Sequence, residues 1–456
     1  MWEVFYLNVK EFLNTVCQEI KYKPVRDGIA EELKAHIQDI KEDYIDKGIE
    51  EQQAERKAVL QMGNAEEIGK RLNKIHRPKL DWKLLILLVI LIGFGILVAV
   101  LKQPIMSDYY IGKTLLYMII GIAIGIGMYF FDYKKIKKYS NVIYIFATII
   151  MILPLLFRGM INGIAHLRIL NIAIYTPTIT LPLYLISFIG FIVNYNKDNN
   201  FNINILNREL KINKDFIKIA ILSILSLFFM ITVPSLANAT ILAVSYTIIL
   251  TTKFIQENNI KKLIIMYGSI FIISALAIIC IMASPHSFKR ILVSFNPELD
   301  PTGSGWVGML QKEVLDNTKF IGEAETEILS DKDNYVINTE SEYTFIYLLG
   351  KTGILVTSVL VLTIILMSIK LIINAKNINE KYGKFLIIGL STLFILQSFA
   401  NVLMNVNMWI QSNVNLPFIS YGGVSFIINT INIAIILSVY KRKDIYQYEE
   451  KELLNN

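Results

Sequence analysis

Polar side chains able to do chemistry collect in three places in an otherwise apolar chain. Gln397, Asn401 and Asn405 each lie about one helical turn from the next, so three amides share one face of a hydrophobic helix. The run Leu416-Pro417-Phe418-Ile419-Ser420-Tyr421-Gly422-Gly423-Val424-Ser425 separates two long apolar segments. Pro417 fixes φ and removes a donor, and Gly422-Gly423 lets backbone or ligand approach closely. Ser420 and Tyr421 bring hydroxyls to a membrane boundary, and a helix-entry turn with an interfacial tyrosine accounts for the run equally well. The third place is a hydrophilic stretch from about 284 to 342. It contains Lys289-Arg290, a Pro- and Gly-punctuated series from Phe295 to Trp306, Gln311, and Glu340-Ser341-Glu342 ahead of an aromatic-rich helix start. An acid at 342 is favourably placed at a helix N-terminus.

The elements that must hold these residues are membrane spans. The chain has 456 residues, 54% of them hydrophobic and 18% charged, and many windows of about twenty apolar residues require an integral membrane protein. Ten spans are expected near 83–101, 111–131, 141–157, 174–194, 216–233, 236–252, 263–283, 343–369, 385–409 and 418–440. Lysines crowd every even connection: Lys134, Lys135, Lys137 and Lys138; Lys197, Lys211 and Lys214 with Arg208; Lys253, Lys261 and Lys262; Lys370, Lys376, Lys381 and Lys384. Lys441-Arg442-Lys443 follows the last span. That pattern predicts both termini in the cytoplasm and the 284–342 loop outside. The expected fold is all-α and polytopic, with one large extracellular loop between spans 7 and 8.

Residues 1–80 form a separate unit, 81–443 the membrane domain, and 444–456 a short cytosolic tail. The first eighty residues mix Lys, Arg, Glu and Asp with apolar stripes at Leu33, Ile37, Ile40, Tyr44 and Ile45, and at Ala54, Ala58, Val59 and Met62. Asn64, with Glu67 three residues later, is placed to cap a helix. A small cytosolic helical domain is expected, either a solvated spacer or a docking site for a cytosolic regulator. From Pro24-Val25-Arg26-Asp27 to Gln61-Met62-Gly63-Asn64-Ala65-Glu66-Glu67-Ile68-Gly69 it resembles a permease prefix domain. The net charge of +7 suits cytoplasmic loops and anionic lipid headgroups and gives no sign of nucleic acid. Cys17 and Cys280 suggest no disulfide, the four histidines show no metal-ligand spacing, and no cleavable signal peptide is visible.

From Gln397 to Gly423 the chain resembles the SEDS family of bacterial membrane proteins (FtsW/RodA/SpoVE-like, serving shape, elongation, division and sporulation). A second stretch carries the likeness: Asn296-Pro297-Glu298, Asp300-Pro301 and Gly303-Ser304-Gly305-Trp306, then Gln311 and Phe320-Ile321-Gly322. A third is Ser341-Glu342-Tyr343 leading to Gly350 and Gly353, where the family has an Asp regarded as catalytic and this chain has Glu342. The resemblance implies a peptidoglycan glycosyltransferase that polymerises lipid II at the outer face of the cytoplasmic membrane. A sugar hydroxyl of one molecule would displace undecaprenyl pyrophosphate from another, and Glu342 would be the general base.

The same likeness implies substrate contacts at Asn162, Glu298, Asp300, Gln311, Gln397, Asn401, Pro417, Ser420, Tyr421, Gly422 and Gly423, while the basic outer residues Arg168, Lys289 and Arg290 are candidates for pyrophosphate contact or equally for a surface or snorkelling role. Arg158 is a further basic candidate for the pyrophosphate. A divalent cation, Mg or Mn, could assist, though no metal ligand is identifiable. The implied partners are lipid II, membrane lipids and a class B penicillin-binding protein.

The chain also departs from the family. Ile179 and Pro182 stand where a Glu and a Lys are expected, and Pro234-Ser235-Leu236-Ala237-Asn238 replaces Pro-Asp-Leu-Gly-Thr. The segment between Gly322 and Thr339 is acidic in place of Gly-rich. A catalytically silent lipid II-binding scaffold and a lipid II flippase therefore stay open. Lys351, expected about two turns into the eighth span, has no family counterpart and no assigned role.

Overall fold

The computed structural model of the protein describes residues 8–76, 79–104, 106, 110–157, 160–161, 164–169, 172–205, 208–233, 235–329, 341–420 and 422–443. The chain divides into two compact units, residues 1–81 with 440–456, and residues 82–439.

In the first unit, α1 (Val9–Glu19), α2 (Arg26–Asp46), α3 (Glu51–Met62) and α4 (Ala65–His76) enclose a small core of Phe12, Val16, Ile20, Ile29, Ile37, Ala58, Val59 and Ala65. Asn8 and Glu11 form a reciprocal capping box on α1. Asn64 caps α4 by accepting from the backbone N–H of Glu66 and of Glu67. The stripe expected on α2 buries Ile37, with Leu33 and Ile40 packed against the core, while Ile45 faces outward, 40% exposed.

The second unit is built from α5 (Trp82–Lys102), α6 (Tyr110–Phe130), the short α7 (Lys134–Lys138), α8 (Ser140–Leu156), α9 (Thr176–Val193), α10 (Lys214–Thr232), α11 (Leu236–Gln256) and α12 (Ile260–Ala283). It continues through α13 (Pro285–Phe295), α14 (Trp306–Asp316), α15 (Thr344–Thr352), α16 (Ile354–Lys376), α17 (Lys381–Asn405) and α18 (Gly423–Lys441). Eight helices among the described residues are long and apolar enough to cross a membrane. The shorter apolar α8 and the 24-residue α12 bring the number to the ten anticipated. In α9, 78% of the most apolar window is buried against protein, against 11% in α10. Helix α9 is therefore a central post, and α10 turns most of its surface to lipid.

Two small antiparallel sheets interrupt the helices. Strands β1 (Met160–Ile161), β2 (Ile164–Ile169) and β3 (Ile172–Tyr175) form one sheet in chain order. Strands β4 (Asn200–Ile205) and β5 (Arg208–Asn213) form another, with Asn200 opposite Asn213 and Ile205 opposite Arg208. The Asn/Phe/Ile alternation of β4 and its two-residue connection to β5 are the ingredients of a hairpin.

The eighth span is not one helix from 343. It breaks at Gly353, whose φ of +85° ends α15, and the spanning helix α16 starts after it. The first N–H groups of α16 would be orphaned at such a break. Here Ile354 and Leu355 donate to the carbonyls of Lys319 and Phe320 in the preceding loop, 3.0 Å each. The loop is tied down further by Ala324 N–H to Gly350 O at 2.7 Å, and by a cluster of Val314, Ala324, Ile328, Leu329, Ile346, Tyr347 and Leu349. Lys351 consequently lies outside the span, on α15, paired with Glu323. The last span likewise starts later than expected, at Gly423, because Pro417–Ser420 is a turn.

A Cβ at position 353 would lie 2.8 Å from the Lys319 carbonyl oxygen and 2.9 Å from that of Phe320. Gly353→Ala combines this clash with a left-handed backbone. It is expected to cost about 2–3 kcal/mol, read as a lowered melting temperature of the detergent-purified protein.

Candidate functional site

Two asparagines on α17 fix the backbone of Glu342. The Asn401 and Asn405 side-chain amides each donate to the Glu342 carbonyl at 2.9 Å. Both side chains are completely buried. Asn401 also donates to Val414 O at 2.7 Å, and Asn405 Oδ1 accepts the Ile346 N–H at 3.2 Å. The polar stripe of α17 thus binds the start of α15 on one side and the segment after α17 on the other. An apolar residue at either position would leave buried backbone groups unpaired.

Around the carboxylate, Ser341 Oγ lies 3.3 Å from Glu342 Oε2 and 3.0 Å from Asn415 Oδ1, its single proton serving one at a time. Asn415 lines a small polar cavity whose wall also includes Tyr175, Asn238, Gln397, Asn429 and Asn432. Among the described residues this wall carries hydroxyls and amides, with Leu393 and Ile428, and no ionisable acid or base other than the Tyr175 phenol. The Tyr175 hydroxyl is 2.6 Å from Ser235 Oγ and accepts from Asn238 Nδ2 at 3.1 Å. Pro182 borders the same space.

The loop before Glu342 is organised mainly by its own contacts. Asp300 accepts from the Ser304 hydroxyl at 3.0 Å and backbone N–H at 3.2 Å, and pairs with Lys289 at 3.2 Å. These partners hold its carboxyl below the ordinary range, the Ser304 hydroxyl most of all. Glu298 pairs with Lys312. Gly305 and Gly308 have no room for a Cβ against Pro297. Asn407 Nδ2 donates to Gly308 O at 2.9 Å and Gln411 Nε2 to Gln311 Oε1 at 2.7 Å, docking α14 onto the segment that follows α17.

The 416–423 turn is held by Leu416 N–H to Ser420 Oγ at 2.8 Å and Ser420 N–H to Leu416 O at 3.0 Å, with Phe418 in a left-handed conformation at φ +68°. It presses on two helices at glycines. A Cβ on Gly95 of α5 would lie 2.4 Å from Phe418 O, and one on Gly423 would fall 2.2 Å from the Tyr117 ring of α6.

The expected site residues therefore fall into groups. Glu342 and Asn401 come together, and Gln397 lines the adjoining cavity. Pro417, Ser420, Gly422 and Gly423 belong to the neighbouring turn; Ser420, Gly422 and Gly423 border a second, largely apolar space against α5 and α6, not the amide cavity. Glu298, Asp300 and Lys289 serve the loop's own ion pairs, Gln311 is completely buried inside the loop, and Arg290 and Arg168 are exposed. Asn162, Tyr421 and Arg158 lie outside the described residues. The sequence reading missed Asn238, Asn413, Asn415, Asn429, Asn432 and Lys102. The spacing of Ser425, Asn429 and Asn432 on α18, at i, i+4 and i+7, was the signal available. Among the described residues no three His, Cys, Asp or Glu side chains come together to hold a metal ion, so the divalent cation left open above finds no ligand set there.

Comparison with known proteins places this architecture. The FtsW, RodA and SpoVE family, described as cell cycle proteins, matches residues 80–445. The chain belongs to this family, and it is a multi-pass membrane protein. It is 25% identical over 397 residues to the probable peptidoglycan glycosyltransferase FtsW of Nitrosomonas europaea, covering 80% of this chain and 94% of that protein. With the probable peptidoglycan glycosyltransferase FtsW of Trichlorobacter lovleyi it shares 21% over 371 residues, covering 79% and 92%. In fold it is similar to a chain from a peptidoglycan synthase complex that coordinates polymerization and crosslinking, with a TM-score of 0.61 at 15% identity, covering 80% of this chain and 98% of that one. The rod shape determining protein RodA of Thermus thermophilus gives 0.54 at 13% identity, covering 80% and 97%.

Burial raises the Glu342 carboxyl above its ordinary value, while its own backbone N–H, the Ser341 hydroxyl and the Lys102 charge pull it back. A raised folded-state value means that ionisation costs stability. The cost is absent below the ordinary carboxylate range, grows as pH rises through it, and is complete above the raised value. Glu342→Gln is therefore expected to melt higher than the parent at pH 8 and no higher at pH 4. In the same assay Asn405→Leu, which strips the Ile346 N–H and one donor to the Glu342 carbonyl, is expected to cost about 2–3 kcal/mol at both pH values.

Proposed function

We propose that the protein is a peptidoglycan glycosyltransferase that polymerises lipid II at the outer face of the bacterial cytoplasmic membrane, with Glu342 as general base. The observation that carries this reading is the placement of Glu342. Its backbone is clamped by two buried amides, and its carboxylate is linked through the Ser341 hydroxyl to Asn415, which lines an uncharged cavity of amides and hydroxyls in the membrane domain. Such a wall suits the hydroxyls and amides of the disaccharide. Glu342 takes the proton of the acceptor hydroxyl as its oxygen bonds to the anomeric carbon of the donor. The donor's bond to undecaprenyl pyrophosphate breaks, and the diphosphate leaves with the electron pair. Arg168 and Arg290, both exposed, are the proposed sources of positive charge for the leaving group.

The basic even connections support cytoplasmic termini, which puts α13, α14 and Glu342 outside. The likeness to a chain of a peptidoglycan synthase complex supports a class B penicillin-binding protein as partner. Residues 1–80 would be the prefix-like unit available to a cytosolic regulator.

One observation favours a second reading, a silent lipid II-binding scaffold. Pro182, where the family's Lys is expected, borders the cavity and brings no charge to it.

Polymerisation of labelled lipid II by the purified protein, with and without the co-expressed penicillin-binding protein, decides between them. Glycan strands are expected from the parent and none from Glu342→Ala. Glu342→Asp retracts the carboxylate by one methylene, about 1 Å, and is expected to slow the reaction by up to about a hundredfold. Lipid II binding without product from any sample would establish the scaffold.

A further inference from the structure

Lys102 closes the apolar run of α5, where a lysine ordinarily snorkels to the headgroups. Here its side chain is turned inward and completely buried, 0% exposed. Its Nζ lies 5.1 Å from the centroid of the Tyr347 ring. The Tyr347 hydroxyl donates to Leu101 O at 2.8 Å, so this one side chain meets two consecutive residues of α5. Tyr347 stands on α15, the helix whose start carries Glu342 and is held by Asn401 and Asn405. Burying an ammonium costs several kcal/mol unless its surroundings compensate, and an ionisable group kept at such depth points to a task.

We propose that Lys102 is a positioning residue of the site, fixing the start of α15 through Tyr347 and supplying the positive charge that holds Glu342 as the anion able to accept a proton. This rests on the reading of Glu342 as base. Among the described residues the ionisable groups whose charge bears on the pair are few. The charge of Lys102, at the end of α5, acts on Glu342, that of Glu342 acts on Tyr175 at the end of β3, and Glu323, which acts on Tyr347, is paired with Lys351. The Lys102 charge acts on Glu342 in the direction the proposal requires. A cation at this place also replaces nothing on the cavity wall, so it can act on the base without occupying substrate space.

The test is the pH profile of lipid II polymerisation for the parent, Lys102→Met and Lys102→Arg. Lys102→Met is expected to lose about tenfold on the acid side of the profile and less than about twofold at its alkaline end, with Lys102→Arg close to the parent. A loss by the same factor at every pH would reduce Lys102 to a structural role, and an unchanged profile would remove it from the site; either overturns the proposal. A cycle of melting temperatures with Glu342→Gln reads the coupling without activity. The gain from Glu342→Gln at pH 8 is expected to be larger when Lys102 is Met, or Gln should the Met variant not accumulate. Equal gains overturn the proposal even if polymerisation stands. Undiminished polymerisation by Glu342→Ala would instead overturn the assignment of the base.

Discussion

The membrane domain depends on two carboxamides donating to one carbonyl. A backbone oxygen has two lone pairs, and Asn401 and Asn405 fill both at Glu342. In a low-dielectric interior each such bond is strong and each missing partner is costly. The start of α15 therefore has one position relative to α17. The loop docked on α15, the break at Gly353 and the cavity beside Asn415 all inherit that position.

Much of this arrangement could be read from residue types. Ten apolar segments separated by basic connections gave the membrane helices, because hydropathy over twenty residues is a strong signal. The spacing of Gln397, Asn401 and Asn405 marked a polar face that could not point to lipid. The Gly353 break was hidden because apolar residues continue on both sides of it. What ends α15 is a left-handed glycine whose neighbours, Lys319 and Phe320, come from more than thirty positions earlier in the chain. Lys102 was hidden for a similar reason. A lysine ending an apolar run has the same sequence signature whether it points to water or into the protein.

The Phe295–Trp306 series shows the limit of reading function from a motif. Its acids suggested ligands for a substrate. In the fold, Asp300 receives Ser304 and Lys289, Glu298 receives Lys312, and the glycines admit Pro297. These residues brace the loop itself, and the loop is docked by hydrogen bonds from Asn407 and Gln411, beyond the end of α17, to Gly308 and Gln311.

The helices of this domain are unequal in length. Helix α8 has 17 residues and, at 1.5 Å per residue, rises about 26 Å, while the 21 residues of α5 or α6 rise about 32 Å. Hydrocarbon is about 30 Å thick, and α8 presents Val142, Ile145, Phe146 and Ile149 to it. The acyl chains along α8 must compress or tilt to match this short wall, while those beside α5 and α6 need not. A bilayer of that thickness is therefore expected to thin along the α8 flank and to keep its ordinary depth beside α5 and α6.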